Sequence, residues 1–323
     1  MHRAAIAFVA AMSAAALGSS GAAAADWPSK PVRVIVAYSA GGANDLLARV
    51  FADQLGKTFG QQFIVENRTG GSGLIGTEAV ARAAPDGYTL QASGMPSHVL
   101  APAMNKNANF DPMRDFTHIA YLGGPPNVFV VHPSLGVNNF KELIALMKSQ
   151  AGGVQYVSPA IGAVGNMVAE YVADKEKVKL VHVAYRGGGA AIKDLVAGHV
   201  KVGSLTISTT RPHILAGNLR PVAISSAQRL PEFPDLPTLV ELGYPELVVT
   251  TWYSLAGPAA MPRDIVDKLN AAVNKAMDLP EVKKHLNTGM VQTKAMTPAE
   301  MTAFMQGEVN KWAPIARRVA ESK

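Results

Sequence analysis

Pro31-Val32-Arg33-Val34-Ile35-Val36-Ala37-Tyr38, then Ser39-Ala40-Gly41-Gly42, then Ala43-Asn44-Asp45-Leu46-Leu47-Ala48-Arg49-Val50, is the stretch on which the fold turns. Its Val- and Ile-rich start predicts a strand, because β-branched side chains suit a pleated surface. The paired glycines predict a tight turn. Leu46, Leu47, Val50 and Leu55 then fall on one face of a helix expected over residues 43–59. Strand, turn and helix recur downstream. Strands are expected at 62–66, 88–92, 127–131, 154–157, 180–184, 200–205, 220–225 and 248–256. Helices are expected at 75–84, 139–150, 163–173, 187–197, 208–216, 263–277 and 298–322, the last opened by a capping box of Thr297 and Glu300 with Pro298 between them. Such alternation predicts an α/β fold with mostly parallel sheets flanked by helices.

The alternation falls into two similar blocks. We expect a first lobe at 26–125, a second lobe at 126–224, and a tail at 225–323 that completes the first lobe and adds the C-terminal helices. The chain would then cross between lobes near 125 and again near 225.

Residues 1–25 have the layout of a secretory signal peptide: a basic start at His2 and Arg3, an apolar run, and small residues ending Ala22-Ala23-Ala24-Ala25. Cleavage is expected after Ala25, and the periplasm is the expected compartment. The apolar run is shorter than the roughly 20 residues of a membrane span.

Composition removes several functions. With 323 residues, 48% hydrophobic and 17% charged, the chain has the apolar material of globular lobes and too little charge for a disordered one. It has no cysteine, so disulfides, thiolate metal sites and cysteine nucleophiles are excluded. The net charge of +6 is scattered and makes no basic stripe, which argues against nucleic acid. There is no Gly-x-Ser-x-Gly elbow, no His-Glu-x-x-His pair and no phosphate-binding loop ending in Lys-Ser/Thr. Gly71-Ser72-Gly73-Leu74-Ile75-Gly76 has dinucleotide-loop spacing, but residues 91–97 lack the acid that would hold a ribose, so a tight turn is expected instead. No enzyme and no cofactor is expected.

The junctions between strands and helices carry the binding chemistry. They are residues 38–42, Ser93 to Ser97, residues 158–162 and Tyr185-Arg186-Gly187-Gly188-Gly189. In open α/β sheets ligands bind at the carboxyl ends of strands. Helix N-termini there offer free N–H groups and partial positive charge, which suits a carboxylate.

The order and spacing of several motifs resemble one family. These are Trp27-Pro28-Ser29-Lys30-Pro31, Gly41-Gly42-Ala43-Asn44-Asp45 before Ala48-Arg49, Val65-Glu66-Asn67-Arg68, Ala84-Pro85-Asp86-Gly87-Tyr88, His182-Val183-Ala184-Tyr185-Arg186-Gly187, Pro212-His213-Ile214 and Leu236-Pro237-Thr238. Over nearly the whole chain after residue 25 the sequence resembles the Bug-type receptors of tripartite tricarboxylate transporters. The resemblance implies a two-lobed, type II-like periplasmic binding protein that captures a small carboxylate and passes it to permease subunits in the cytoplasmic membrane; a monomer is the prior expectation, with the oligomeric state open. It implies that the loop after the first strand holds one carboxylate, partly through waters. The matching positions are Tyr38, Ser39, Ala40, Gly41, Gly42 and Asp45, with Asp45 capping the turn or orienting a water. From the other junctions come Ser93, Ser97, Ser158, Ile161, Gly162, Val164, Tyr185, Arg186, Gly187, Thr206 and Ser208. Relatives often carry an acid where Leu205 stands, and a polar run where Pro159-Ala160-Ile161 stands. An aromatic or aliphatic carboxylate is therefore expected rather than an amino acid. A ligand-presenting sensor subunit would share all these features, and an exported enzyme would need a catalytic constellation that is missing here.

Overall fold

The computed structural model describes residues 27–321. The signal sequence and its cleavage site expected at 1–25 lie outside the described residues. The first lobe begins with β1 (Val32–Val36), α1 (Ala43–Phe59), β2 (Phe63–Asn67), α2 (Leu74–Ala81), β3 (Thr89–Gly94), α3 (Ala101–Met104) and β4 (Phe116–Gly123). The second comprises β5 (Asn127–Val131), α4 (Phe140–Ser149), β6 (Val154–Ser158), α5 (Val164–Glu176), β7 (Leu180–Ala184), α6 (Gly188–Val196), β8 (Val202–Thr206), α7 (Ile207–Leu215) and β9 (Arg220–Ile224). The chain then returns with β10 (Tyr253–Pro258), α8 (Arg263–Ala276), α9 (Pro280–Thr288) and α10 (Pro298–Glu321).

Each lobe is built on a five-stranded sheet. The orders are β2-β1-β3-β10-β4 and β7-β6-β8-β5-β9. They are the same arrangement twice. Both begin with parallel pairs around β1 and β6, and both reach the last strand through an antiparallel one, β10 or β5. The sheets are therefore mixed rather than purely parallel, and the antiparallel strand is in each case the one entered from a crossing.

The crossings run side by side. Pro126 bridges Thr250, and Thr251 N donates to Pro125 O at 2.9 Å. Glycine is required here: a Cβ on Gly124 would stand 2.9 Å from Trp252 Cα. The expected second crossing near 225 is thus displaced to about 250. Residues 225–249 stay with the second sheet. Ser225 N donates to Asn127 O, Ile224 pairs with Thr238, and Leu239, Tyr244, Leu247 and Val249 are buried beside Phe129 and Phe140. The helices α3 and α9, the strand β4, and the π-helical turn Met95–Leu100 that leads into α3 were not expected from sequence.

Two cores result. One fills the first lobe between its sheet and α1, α8 and α9. The other begins under the second sheet and runs without a break to Trp252 and to Met301, Met305 and Trp312 of α10. Trp252 is fully buried, meets Phe304 edge-on with ring centroids 5.1 Å apart, and donates its indole N–H to Glu308 at 2.6 Å. The capping box of α10 forms: Glu300 N donates to Thr297 Oγ1 at 3.2 Å, and Thr297 N donates to Glu300 Oε2 at 2.8 Å. No helix among the described residues is long and apolar enough to cross a membrane.

Candidate ligand-binding site between the lobes

The N-termini of α1, α5, α6 and α7 converge on one cavity between the lobes. Its wall includes Gly42, Ala43 and Asn44 from α1, Ala163, Val164 and Gly165 from α5, Gly188 from α6, and Thr206 and Thr209 from α7. The remaining wall is Tyr38, Ser39, Asp45, Pro96, Asn127, Pro159, Thr251 and Tyr253. None of the four helices has a side-chain cap on its first amides. At Thr206 the hydroxyl that could cap α7 meets the Thr209 hydroxyl instead, at 3.0 Å. The first amide of α7 is taken, since Ile207 N donates to Pro126 O at 3.0 Å, but the remaining unpaired N–H groups and the four dipoles make the cavity electropositive without any cationic side chain in the wall.

The loop after β1 is held rigidly. Asp45 is buried and accepts from Gly41 N at 3.0 Å, from Arg49 Nε at 3.0 Å and Nη2 at 2.9 Å, and from Asn67 Nδ2 at 2.9 Å. Burial alone would raise its pKa. The hydrogen bonds from Arg49, Gly41 and Asn67 outweigh burial and hold it below the usual value. The carboxylate is thus saturated and serves the loop. The second lobe repeats the device without the charge: Gly162 N donates to Asn166 Oδ1 at 3.0 Å, and Asn166 Nδ2 donates to Tyr156 OH at 2.7 Å. Asp45→Ala should orphan the Gly41 donor, leave Asn67 Nδ2 with only its bond to Tyr38 O, and cost about 1–3 kcal/mol, read from the urea midpoint. Because its pKa is lowered on folding, Asp45's contribution is present above the ordinary Asp value and is lost as pH falls through the folded one.

Tyr38 borders the cavity and donates to Ser72 O at 3.1 Å. The Gly71–Gly76 motif explains why. Gly73 adopts φ +97°, and a Cβ there would lie 2.8 Å from the Tyr38 hydroxyl, so this turn seats a tyrosine and not a phosphate. Burial, with Tyr253 adding, raises the Tyr38 pKa and keeps the phenol neutral.

The lobes touch directly across the cavity mouth. Ser39 N donates to Arg186 O at 2.8 Å, and Gly189 packs on Ala40 and Gly41 so closely that a Cβ would lie 1.9 Å from Ala40 O. The cavity left between them measures about 30 Å³. That is room for about two waters, so this is a closed arrangement and a ligand must enter with the lobes parted.

Of the residues expected from sequence, Tyr38, Ser39, Gly42, Asp45, Val164 and Thr206 line the cavity. The others are placed elsewhere. Ala40, Gly41, Arg186 and Gly187 form the lobe contact or its margin, with Arg186 exposed. Ser93 bonds Ser254 Oγ at 2.7 Å inside the first sheet, and Ser97 bonds His98 Nδ1 at 3.1 Å. Ser158 meets His182 Nε2 at 2.7 Å, Tyr185 donates to Asp194 at 2.6 Å, and Ser208 donates to Thr206 at 3.3 Å. Ile161 faces solvent, and Gly162 turns against Met104. Gly188, from the junction at 185–189, also lines the cavity, whereas Ala43, Asn44 and Gly165, which share the helix starts, were not singled out. Sequence reasoning also missed Asn127, Thr251 and Tyr253, which reach the site from the crossings and have no local signature. Among the described residues no cluster of metal ligands occurs.

Two α/β lobes joined by paired crossings, with helix N-termini from both facing a shared cavity, define a two-lobed solute-binding protein. Residues 47–320 match the model of the tripartite tricarboxylate transporter family receptor, and the chain belongs to that family. The protein BugT of Bordetella pertussis is 31% identical over 292 residues, covering 90% of each chain. Among solved structures, Rpa4515 of R. palustris with adipate superposes at TM-score 0.87 with 29% identity, covering 92% of this chain and 99% of that one. MatC of Rhodopseudomonas palustris with bound malate superposes at TM-score 0.85 with 29% identity, covering 90% and 100%.

Proposed function

We propose that the protein is a periplasmic receptor that closes on a small carboxylate and hands it to a membrane permease. The observation that carries this is the convergence of four uncapped helix N-termini on a cavity whose one acidic group is already saturated. A carboxylate there exchanges water for fixed N–H donors. The adipate and malate bound by its structural relatives are carboxylates too. Part of the wall beside those donors is apolar: Ala43, Pro96, Pro159, Ala163 and Val164. An ammonium group would face the positive helix ends with no free acid to meet it. The ligand is therefore an aliphatic or aromatic carboxylic acid rather than an amino acid. Binding first to one lobe and then closing about the crossings adds the second lobe's contacts. The ligand favours closure only by its preference for that state. No bond is made or broken.

A thermal-shift panel of aliphatic diacids, aromatic acids and amino acids tests this. A ligand at 100 times its dissociation constant adds about 2.7 kcal/mol. A clear rise with one class of carboxylic acid, and loss of that acid's uptake when the receptor is deleted from its host, is the expected result. Stabilisation by amino acids alone would overturn it.

A further inference from the structure

Three residues of the cavity wall each carry a buried side-chain polar atom with no partner among the described residues: Asn44 Oδ1, Thr251 Oγ1 and Ser39 Oγ. Asn44 and Thr251 are each only 4% exposed. The orientation of the Asn44 amide is settled by its other end, because Nδ2 donates to Ala92 O at 2.9 Å. Its oxygen is therefore left over, and an amide oxygen can only accept. An ionised carboxylate also only accepts, so it cannot sit against Asn44 Oδ1 without repulsion. A buried acceptor in a binding wall calls for a donor on the ligand. An ammonium is disfavoured by the four helix ends, and Asp45, the wall's acid, is taken up by Gly41, Arg49 and Asn67. A hydroxyl remains. A hydroxyl can donate to the Asn44 amide oxygen and can also accept from the Thr251 hydroxyl, and both residues line the same cavity.

On the footing of the carboxylate-binding function above, we propose that Asn44 and Thr251 are specificity-determining residues that select a hydroxy acid over the matching acid without the hydroxyl. The helix N-termini hold the carboxylate, and the Asn44–Thr251 pair reads the hydroxyl. In the deoxy acid's complex a water must fill that place, and its immobilisation keeps the penalty moderate.

The test is calorimetric titration with matched pairs: lactate and propionate, malate and succinate, mandelate and phenylacetate. In the pair whose body fits, the hydroxy acid should bind about tenfold or more tightly. Thr251→Val keeps the shape and removes only a hydroxyl that has no protein partner, and it should bring the ratio down toward one. Asn44→Leu should do the same. If its lost bond to Ala92 prevents folding, Thr251→Val alone carries the test. Equal binding within the pair, or an undiminished ratio in Thr251→Val, overturns the hydroxyl assignment and leaves the carboxylate function standing. Binding of no member of any pair while another carboxylic acid of the thermal-shift panel binds overturns the hydroxyl assignment alone, and binding of no carboxylic acid at all overturns both.

Discussion

Gly189→Ala is expected to weaken ligand binding by about 100-fold or more while leaving the unliganded protein at least as stable as before. Gly189 lies in the first turn of α6 with ordinary helical backbone, so alanine suits it within its own lobe and even gains up to about 1 kcal/mol of helix propensity. The obstacle is on the other lobe. In the closed arrangement the new methyl would stand 1.9 Å from Ala40 O and 3.1 Å from Gly41 C, both backbone atoms that cannot swing aside. The lobes would have to stay more than an ångström apart, and the bond from Ser39 N to Arg186 O would be lost. A closed state made rarer by about 2.7 kcal/mol lowers apparent affinity 100-fold. The diagnostic is the combination: unchanged or higher melting temperature without ligand, and loss of ligand-induced stabilisation. Normal affinity in this variant would show that ligand is held with the lobes further apart than here.

Mild acid should destabilise the first lobe well above the range where carboxylates titrate. His98, on the turn Met95–Leu100, and His118, on β4, are both buried, with ring centroids 6.2 Å apart among Phe110 and Phe116. Burial pushes His118 down to about 4, against the pull of the Pro112 carbonyl. Burial likewise drives His98 well below the ordinary histidine value, and His118 adds to it. Both are neutral in the folded protein. In the unfolded chain they titrate near 6.5. Between those values the unfolded state binds more protons, so stability is present above about pH 6.5 and falls as pH drops toward the folded pKa. The slope is about 1.4 kcal/mol per pH unit for each histidine, or about 3 kcal/mol for His118 alone by pH 4. Urea midpoints at pH 7, 6 and 5 measure it, and His118→Gln should flatten the slope. Identical midpoints at pH 7 and 5 would refute the assignment.

Local chemistry was legible and long-range chemistry was not. The strand, turn and helix at residues 31–59 follow from β-branched residues, two glycines and helical spacing, and α1 starts where that spacing does. The helix starts at Ala43, Val164, Gly188 and Ile207 were readable for the same reason, so half of the cavity was in view. The stretch 229–244 misled because its prolines signal an exposed excursion. Leu236, Leu239 and Tyr244 are buried anyway, supported by partners more than 90 residues earlier in the chain, such as Phe140. β4 was missed because its sequence, Phe116 to Gly123, has both faces covered and no alternation to read. Thr251 and Tyr253 reach the cavity only because the second crossing brings them back beside Pro126, which no local pattern encodes. Ser93 and Ser158 show the converse error: small polar residues at strand ends satisfy the sheet as readily as a ligand.

The strand order has a consequence for how the chain matures. The second sheet is drawn entirely from residues 127–224, whereas β3 and β4 of the first are joined only through β10, residues 253–258. A chain delivered N-terminus first therefore holds its earliest strands with two open edges until the late strand arrives. The second sheet has all its strands before the first sheet has β10, although its core is completed only by Trp252 and α10. That delay leaves β3 and β4 as the edges most in need of protection from mispairing.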